Sequence, residues 1–284
     1  MKIIKTKKKL LKKLKKKKFN ISLIPTMGNI HQGHLFLIKK SIKISNLIIV
    51  SIFLNKPQFN KLQDFINYPQ TIKEDLKKLK KNKVDIVFLP NEKEIYPDGF
   101  YKHTIVSVKK TSTILENKNR PNHLNGVSTI ICKLFNLIQP KYSIFGEKDY
   151  QQLYIIKTLV KELNYNIKII SIPIIREKNG LAISSRNNLL TKNEKKRASY
   201  IYKYLKKIKK KIYYYKFKIF KKIKKKYKKK FLKKKIKLES LHIRDSKNLK
   251  IISKNSKKAI ILISVFIKNI RLIDNIFVNL KKNK

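Results

Sequence analysis

Residues 21–34 read ISLIPTMGNIHQGH, and this stretch decides the fold. A short apolar run, Ile21–Ile24, turns at Pro25–Thr26–Met27–Gly28 and reaches His31 and His34, with Gly33 between them. Apolar residues then recur at Leu35, Leu37, Ile38, Ile42 and Ile44, which predicts a helix over Leu35–Ser45. Strand, tight turn, histidine pair and helix start, in that order, are what a nucleotide-binding α/β protein needs at its first crossover. Working outward, strand Leu47–Phe53 completes a βαβ unit whose crossover is expected to be right-handed. Helix Thr71–Lys80, strand Val84–Leu89, a further strand at Thr104–Val108 and helix Val127–Ile138 continue the alternation. Strand Tyr142–Phe145, helix Tyr150–Leu163 and strand Ile167–Ile172 follow. The class is therefore α/β, a Rossmann-like, mostly parallel sheet covered on both faces. Residues 2–18 hold eleven lysines with Leu10, Leu11 and Leu14 among them, and read as a basic amphipathic helix ahead of the first strand.

Beyond Pro173 the texture changes. The loop IIREKNGLAISSRNN precedes a segment, 201–238, with twenty lysines and no acidic residue. Tyr202, Leu205, Ile208, Ile212, Tyr215, Ile219, Ile223, Tyr227 and Phe231 step through it by three or four, one apolar stripe on one or two lysine-coated helices. Like charges at i,i+4 oppose those helices by a few tenths of a kcal/mol per pair, so packing of the stripe must hold them. LHIRD, KAIILISVFI and RLIDNI then offer three β-like runs. The division expected is a Rossmann-like domain over 1–174 and a smaller α+β C-terminal domain over 175–284.

The formal charge of +56 over 284 residues invites a nucleic-acid reading. Of the 72 basic residues only six are arginine, leaving 66 lysines. Arginine is the residue suited to bidentate readout of bases and phosphates. A chain heavy in Lys, Ile and Asn reads instead as the translation of an AT-rich genome, with salt-sensitive adhesion to polyanions and no specific nucleic-acid partner. Cys132, the only cysteine, excludes a disulfide framework and reads as a small buried hydrophobe. The longest apolar run, 259–267, is too short to span a bilayer, and no apolar segment follows the basic N-terminus as in a secretory signal. A cytoplasmic protein with no membrane partner is expected.

Three groups carry chemistry. His31 and His34 flank a helix start, where free N–H groups and the helix dipole favour phosphate. Gly33 between them leaves room for a nucleotide against the backbone. Zinc is the rival for such a pair, but it needs further ligands, and His103, His123 and His242 fall in no matching pattern. The second group is GEKDYQQ, 146–152, directly after a strand, where ligands of parallel sheets sit. Gly146 supplies the turn, Lys148 a phosphate contact, Asp149 a ribose, metal or cap contact, and Gln152 lies about one helical turn on. The third is ISSR, 183–186, two hydroxyls and a guanidinium suited to a pyrophosphate leaving group. All six glycines are expected in turns or loops, each marking a backbone requirement.

Together with VSIFLNKPQF, YPQT, PNEKEIYPDG and RPNHLNGVSTIICKLFNLIQP, these motifs resemble, in order and approximate spacing, the pantothenate synthetase (pantoate–β-alanine ligase) family. LHIRD and RLIDN resemble it too, and only 201–238 is unmatched in detail. The resemblance implies a two-step reaction: ATP and pantoate give pantoyl adenylate and pyrophosphate, and β-alanine then displaces AMP. It implies that Met27, Gly28, Asn29, Ile30, His31, Gln32, Gly33 and His34 bind ATP, with His34 the proton donor. Gly146, Glu147, Lys148, Asp149, Ile175, Ile183, Ser184, Ser185 and Arg186 join them, Lys148 being catalytic with His31 and His34. It gives pantoate to Gln58 and Gln152, with Gln58 also meeting β-alanine, and makes Asn55, Tyr68, Glu116 and Arg120 neighbours of that pocket. Mg²⁺ would bridge the phosphates, with Asp75 in indirect contact and no metal site of the protein's own. A homodimer working on small-molecule substrates is implied. One departure is that the family places proline directly after the asparagine, where this chain reads Asn55–Lys56–Pro57–Gln58. That order keeps the Asn55/Gln58 spacing and puts the Lys56 cation near the pantoate pocket. Another HxGH nucleotidyltransferase and a basic RNA- or DNA-binding protein are the competing readings.

Overall fold

The structure, a computed structural model, describes residues 1–15, 19–108, 120–215, 220–253 and 255–280. The chain divides into two compact units, Met1–Pro173 and Ile174–Lys284.

The first unit is a six-stranded sheet with every neighbouring pair parallel. Its strands are β1 (Lys2–Ile4), β2 (Ile21–Thr26), β3 (Leu47–Ile52), β4 (Ile86–Phe88), β5 (Tyr142–Gly146) and β6 (Lys168–Ile172), in the order β1-β4-β3-β2-β5-β6. Its helices are α1 (Lys7–Leu14), α2 (Gln32–Ile42), α3 (Leu62–Ile66), α4 (Ile72–Lys81), α5 (Glu92–Ile95), α6 (His123–Ile138) and α7 (Tyr150–Glu162). From β2 the chain builds outward to β3 and β4, then returns to the other flank of β2 for β5 and β6. The reversal lies between β2 and β5, where a parallel sheet opens a ligand crevice at its carboxyl edge. All six residues of β3 are buried, as a central strand covered on both faces requires. One core cluster joins Leu23, Ile49, Phe88, Phe135 and Ile156, and another joins Ile24, Ile38, Val50, Leu79 and Ile144.

Three expectations for this unit need correction. The first strand is Lys2–Ile4, ahead of the basic helix and hydrogen-bonded to β4; three residues are too few for any period to show. Thr104–Val108 is not a strand: the Val106 N–H bonds the Thr129 hydroxyl on α6 instead of a sheet partner. Cys132 is half-buried, its Sγ 2.9 Å from the Tyr165 hydroxyl, because it sits at the margin of the core.

The second unit pairs an antiparallel sheet, β7 (Lys237–Asp245), β8 (Lys258–Ile267) and β9 (Ile270–Asn279) in that order, with α8 (Lys192–Ala198), α9 (Tyr200–Tyr215) and α10 (Phe220–Leu232). The run 259–267 is thus the central strand β8, and among the described residues no helix is long and apolar enough to cross a membrane. Leu205, Ile208, Ile212, Ile223, Tyr227 and Phe231 of the stripe are buried against Leu241, Ile261 and Val265. The stripe's first member differs. Tyr204, not Tyr202, enters the core, its ring 4.9 Å from Phe231 and 5.6 Å from Tyr227. Tyr202 is held at the margin by the Arg176 guanidinium, 3.7 Å above its ring. The side chains of Tyr215 and Ile219 lie outside the described residues.

Candidate active site

The loop after β2 is shaped by a carboxylate. Gly28 has φ +83° and Asn29 φ +51°, and the two N–H groups that follow the turn, of Asn29 and Ile30, donate to Asp75 Oδ2 at 2.8 Å and Oδ1 at 2.7 Å. Asp75 is fully buried in the first turn of α4. A side chain at Gly28 would meet the strain of positive φ and the Asp75 carboxylate at 3.2 Å, so glycine is required there. One helical turn further along α4, Lys78 Nζ donates to the Ile30 carbonyl at 2.7 Å. Asp75, expected in indirect contact with magnesium, clamps the loop through both of its carboxylate oxygens.

The clamp delivers the histidines. α2 begins at Gln32, three residues before the expected start, so His31 is its N-cap and His34 lies in its first turn. Their rings stack, centroids 4.0 Å apart and 15° from parallel. A methyl group on Gly33 would lie 2.9 Å from His31 Cε1, so this glycine makes room for the stacked imidazole. The His31 N–H reaches His34 Nδ1 at 3.4 Å, which leaves the proton of a neutral His34 on Nε2 as a donor. Burial, then the charge of Lys148, lowers the His31 pKa to about 4. Burial, His31, Lys148 and Lys78 hold His34 well below the usual imidazole value. Both rings are neutral at pH 7. Among the described residues His31 Nδ1 is buried with no hydrogen-bond partner, an uncommon state for a polar atom.

Across the strand reversal, β5 ends at Gly146, and Glu147–Asp149 form a single 3₁₀ turn into α7. Lys148 Nζ is 3.7 Å from Asp149 Oδ2, and Gln152 is half-buried in the first turn of α7. Gly146 has φ −82° and a methyl there would meet nothing within 4 Å, so the protein's own atoms do not demand glycine.

The third part is the turn Lys56–Gln58 after β3. Asn55, almost fully buried, donates to Gln58 Oε1 at 3.2 Å and to the Gly126 carbonyl at 3.0 Å, and accepts from the Tyr96 hydroxyl at 2.7 Å. Gln58 Nε2 lies 2.8 Å from Met27 Sδ, tying this turn to the β2 loop. The Gln58 carbonyl faces His123 Nδ1 at 2.6 Å and the Arg120 guanidinium at 3.4 Å. Gly126 sits inside α6, contrary to the expectation that every glycine lies in a turn or loop. A methyl there would fall 2.7 Å from the Gln58 nitrogen and from the Pro57 carbonyl carbon, so helix and turn pack backbone to backbone. The Lys56 ammonium lies 5.3–5.8 Å from the ring centroids of Phe65, Phe100 and Tyr101, close enough for cation–π attraction. Tyr68 packs edge-on against Phe59 at 5.7 Å, and Glu116 lies outside the described residues. Sequence reasoning missed Tyr96, His123 and Gly126. Their signal was the glycine inside an otherwise regular helical pattern, since such a glycine marks a close backbone approach.

The second unit holds the remaining candidates. The Ile183 N–H donates to the Ile175 carbonyl at 3.0 Å, and Arg176 bridges Ala182, so 175–183 doubles back on itself around Gly180. Ser184 donates to Asn187 Oδ1 at 2.7 Å and starts the 3₁₀ turn Ser185–Leu189, in which Arg186 is half-buried. Arg176 fixes this loop, gripping Asp274 with bonds of 2.7 and 2.8 Å and the Gly180 carbonyl at 3.1 Å.

The family model of pantoate-beta-alanine ligase matches residues 1–277. The pantothenate synthetase of Buchnera aphidicola subsp. Acyrthosiphon pisum (strain 5A) is 54% identical over 283 residues, covering 97% of this chain and 98% of its own. That of Wigglesworthia glossinidia brevipalpis is 51% identical over 275 residues, covering 95% and 96%. Among solved structures, the pantothenate synthetase of Thermus thermophilus superposes with TM-score 0.88 at 29% identity, over 97% of this chain and 99% of its own. The pantoate-beta-alanine ligase of Francisella tularensis, complexed with beta-gamma ATP and β-alanine, does so with TM-score 0.82 at 33% identity, over 97% of each chain. This chain belongs to the pantoate–β-alanine ligase family, ATP-dependent ligases that join pantoate and β-alanine to form pantothenate.

Proposed function

We propose that the ligation runs through a pantoyl adenylate made at the β2–β5 reversal, with the polyphosphate of ATP against the stacked histidines. The observation that carries this is the pair of neutral imidazoles at the N-terminus of α2, with Lys148 charged close by. A helix start and a lysine attract the triphosphate, while uncharged rings donate hydrogen bonds without repelling Lys148. In the first step a pantoate carboxylate oxygen attacks the α-phosphorus, the bond to the β-phosphate oxygen breaks, and pyrophosphate leaves. His34, with its proton on Nε2, is the donor to the departing oxygen. In the second, the uncharged amine of β-alanine attacks the acyl carbon, AMP departs with the bonding pair, and the amine's proton is lost, leaving the amide of pantothenate, a precursor of coenzyme A. Positioning and charge neutralisation supply most of such catalysis.

ATP is assigned the loop Met27, Gly28, Asn29, Ile30, His31, Gln32, Gly33 and His34. It is also assigned Gly146, Glu147, Lys148 and Asp149, and from the second unit Ile175, Ile183, Ser184, Ser185 and Arg186. Three features support the loop assignments: the unpartnered His31 Nδ1, the clamped backbone, and a Gly146 whose smallness no protein atom explains. Gln58 and Gln152 are assigned to pantoate, and Gln58 to β-alanine as well. Their neutral amides fix hydroxyl and carboxylate without competing as nucleophiles. Among the described residues no group of three or more His, Cys, Asp or Glu is arranged to hold a metal, and both Asp75 oxygens accept N–H groups of the loop. Mg²⁺ would arrive on the phosphates of ATP, where it would supply charge neutralisation. We assign the enzyme to the cytoplasm, where ATP is abundant, and to a homodimer, which light scattering would test. Pantoate-dependent exchange of pyrophosphate into ATP tests the adenylate. Exchange without β-alanine is expected; its absence from folded protein that still makes pantothenate would refute the intermediate.

A further inference from the structure

Lysines cover this chain, and most of the described ones are exposed. Lys78 is also held in place. It leaves α4 one turn after the Asp75 clamp, and its ammonium ends 2.7 Å from the Ile30 carbonyl, inside the loop that carries the histidine pair. Its charge bears on His31 and on His34, as does that of Lys148. The two cations come from opposite flanks of β2. Lys148 follows β5 on one side, and Lys78 belongs to the helix between β3 and β4 on the other. One N–H on the Ile30 carbonyl holds the ammonium in place and leaves two further donors, and the residue as a whole stays open to solvent.

We propose that Lys78 is a further cation of the polyphosphate site, added to Lys148 and Arg186, opposing Lys148 so that the ATP phosphates lie between two ammonium groups over the stacked histidines. This rests on the placement of ATP argued above and adds a residue to it. Two uncharged imidazoles can orient a triphosphate but cannot neutralise it, and a further cation beside Lys148 and Arg186 matches more of its charge. A cation fixed by a backbone carbonyl acts with little loss of side-chain freedom on binding.

The test is calorimetric titration of MgATP, and separately of inorganic pyrophosphate, into wild type, Lys78→Gln and Lys78→Arg, with KM for pantoate measured alongside. Lys78→Gln keeps a donor for the Ile30 carbonyl but removes the charge. A charge-assisted contact of this kind corresponds to about tenfold in affinity. Affinity for both ligands should therefore fall about tenfold in Lys78→Gln and largely return in Lys78→Arg, with KM for pantoate unchanged. Unchanged affinity in Lys78→Gln overturns the proposal. So does an equal loss of ATP and pantoate binding with a lowered melting temperature, which marks a merely structural lysine. His34→Ala and Lys148→Ala in the same series separate the two readings. If they lose ATP while Lys78→Gln does not, only this proposal fails; if none of the three loses it, the placement of ATP fails as well.

Discussion

The loops at the β2–β5 reversal and the helices α9 and α10 sit in one lysine-saturated chain and are specified in opposite ways. The helices are written in a two-letter code. Ile208, Ile212, Ile223, Tyr227 and Phe231 are buried, while Lys209, Lys210, Lys222, Lys224, Lys225, Lys226, Lys228 and Lys229 between them are exposed. The loops spend non-lysine polar residues inside the protein: Asn29, Asn55, Gln58, Asp75 and His123 are all buried, and Asn55, Gln58, Asp75 and His123 each hold a named group of another segment. A helix face needs only the right class of residue at the right period. A buried polar network needs the right atoms, because each unmade bond costs about 1–3 kcal/mol. Coding bias can therefore rewrite α9 and α10 while leaving the loops nearly untouched. Substitutions should be severe in the loops and mild on the lysine faces of the helices.

The largest effect is expected at His34. Its Nε2 proton is the proposed donor to pyrophosphate, and removing one preorganised donor of developing charge costs on the order of a hundredfold to a thousandfold in rate. His34→Ala should lower pantoate-dependent pyrophosphate exchange by that factor with circular dichroism unchanged. Near-normal exchange would break the comparison at its centre.

Next comes Asp274, chosen because it lies in the second unit yet follows the rule of the loops. Its carboxylate is 3% exposed and holds Arg176 at 2.7 Å. Asp274→Ala leaves that guanidinium uncompensated, and urea denaturation should register a loss of about 3 kcal/mol. A loss as small as that of a surface lysine would mean that the second unit contains no identity-dependent network at all.

Gly126→Ala follows. The added methyl would press on the backbone of Pro57 and Gln58 at 2.7 Å, an overpacking that costs about 1–3 kcal/mol. Because the strain falls on the turn that presents Gln58, KM for pantoate should rise while affinity for ATP stays close to normal. An equal loss of both would mean that the Gln58 turn and the histidine loop act as one body.

How much of this was legible follows the same division. Strands β2 to β6, helices α2, α4, α6 and α7 and the stripe through α9 and α10 could be read from runs or periods of apolar residues, whereas the short helices α3 and α5 were not. β1, three residues long, has no period, and Thr104–Val108 has the composition of a strand but gives its Val106 N–H to Thr129. The histidine pair, Lys148 and Gln58 could be singled out as candidates because each stands in a contiguous motif. Arg176 and Asp274 stood in two separate motifs, and nothing in spacing says that residues 98 apart form one ion pair. Asp75 was noticed for its charge, but its task, accepting two N–H groups from a loop 45 residues away, depends on the fold alone. Periodicity travels along the chain; complementarity does not.

The histidines also set a pH dependence. Their folded pKa lies below the unfolded value, to about 4 for His31, so below pH 6.5 the unfolded chain binds protons that the folded one refuses. Stability should therefore fall as pH drops from about 6.5 toward 4, and remain unaffected by these groups above 6.5. His31→Gln should flatten that slope in thermal melts recorded across the window. An equal slope would mean that the pair is no more desolvated than the open helices, and would erase the contrast there.

The smallest effects belong to the lysine face of α10. Lys222 and Lys226 are exposed and Lys230 is half-buried, at successive i,i+4 positions, so each repels the next along the helix. Lys226→Gln removes both repulsions and leaves the buried stripe intact, and the expected change is a gain of no more than about 0.5 kcal/mol. The sign carries the argument. A loss would mean that the ammonium makes a contact the helix depends on, whereas a gain that shrinks as salt is raised identifies bare repulsion, since salt screens exposed charges beyond about 10 Å at 0.1 M. Melting curves of wild type and Lys226→Gln at low and high salt decide between them. Convergence of the two proteins at high salt would show that packing of the apolar stripe alone holds this helix against its own charge.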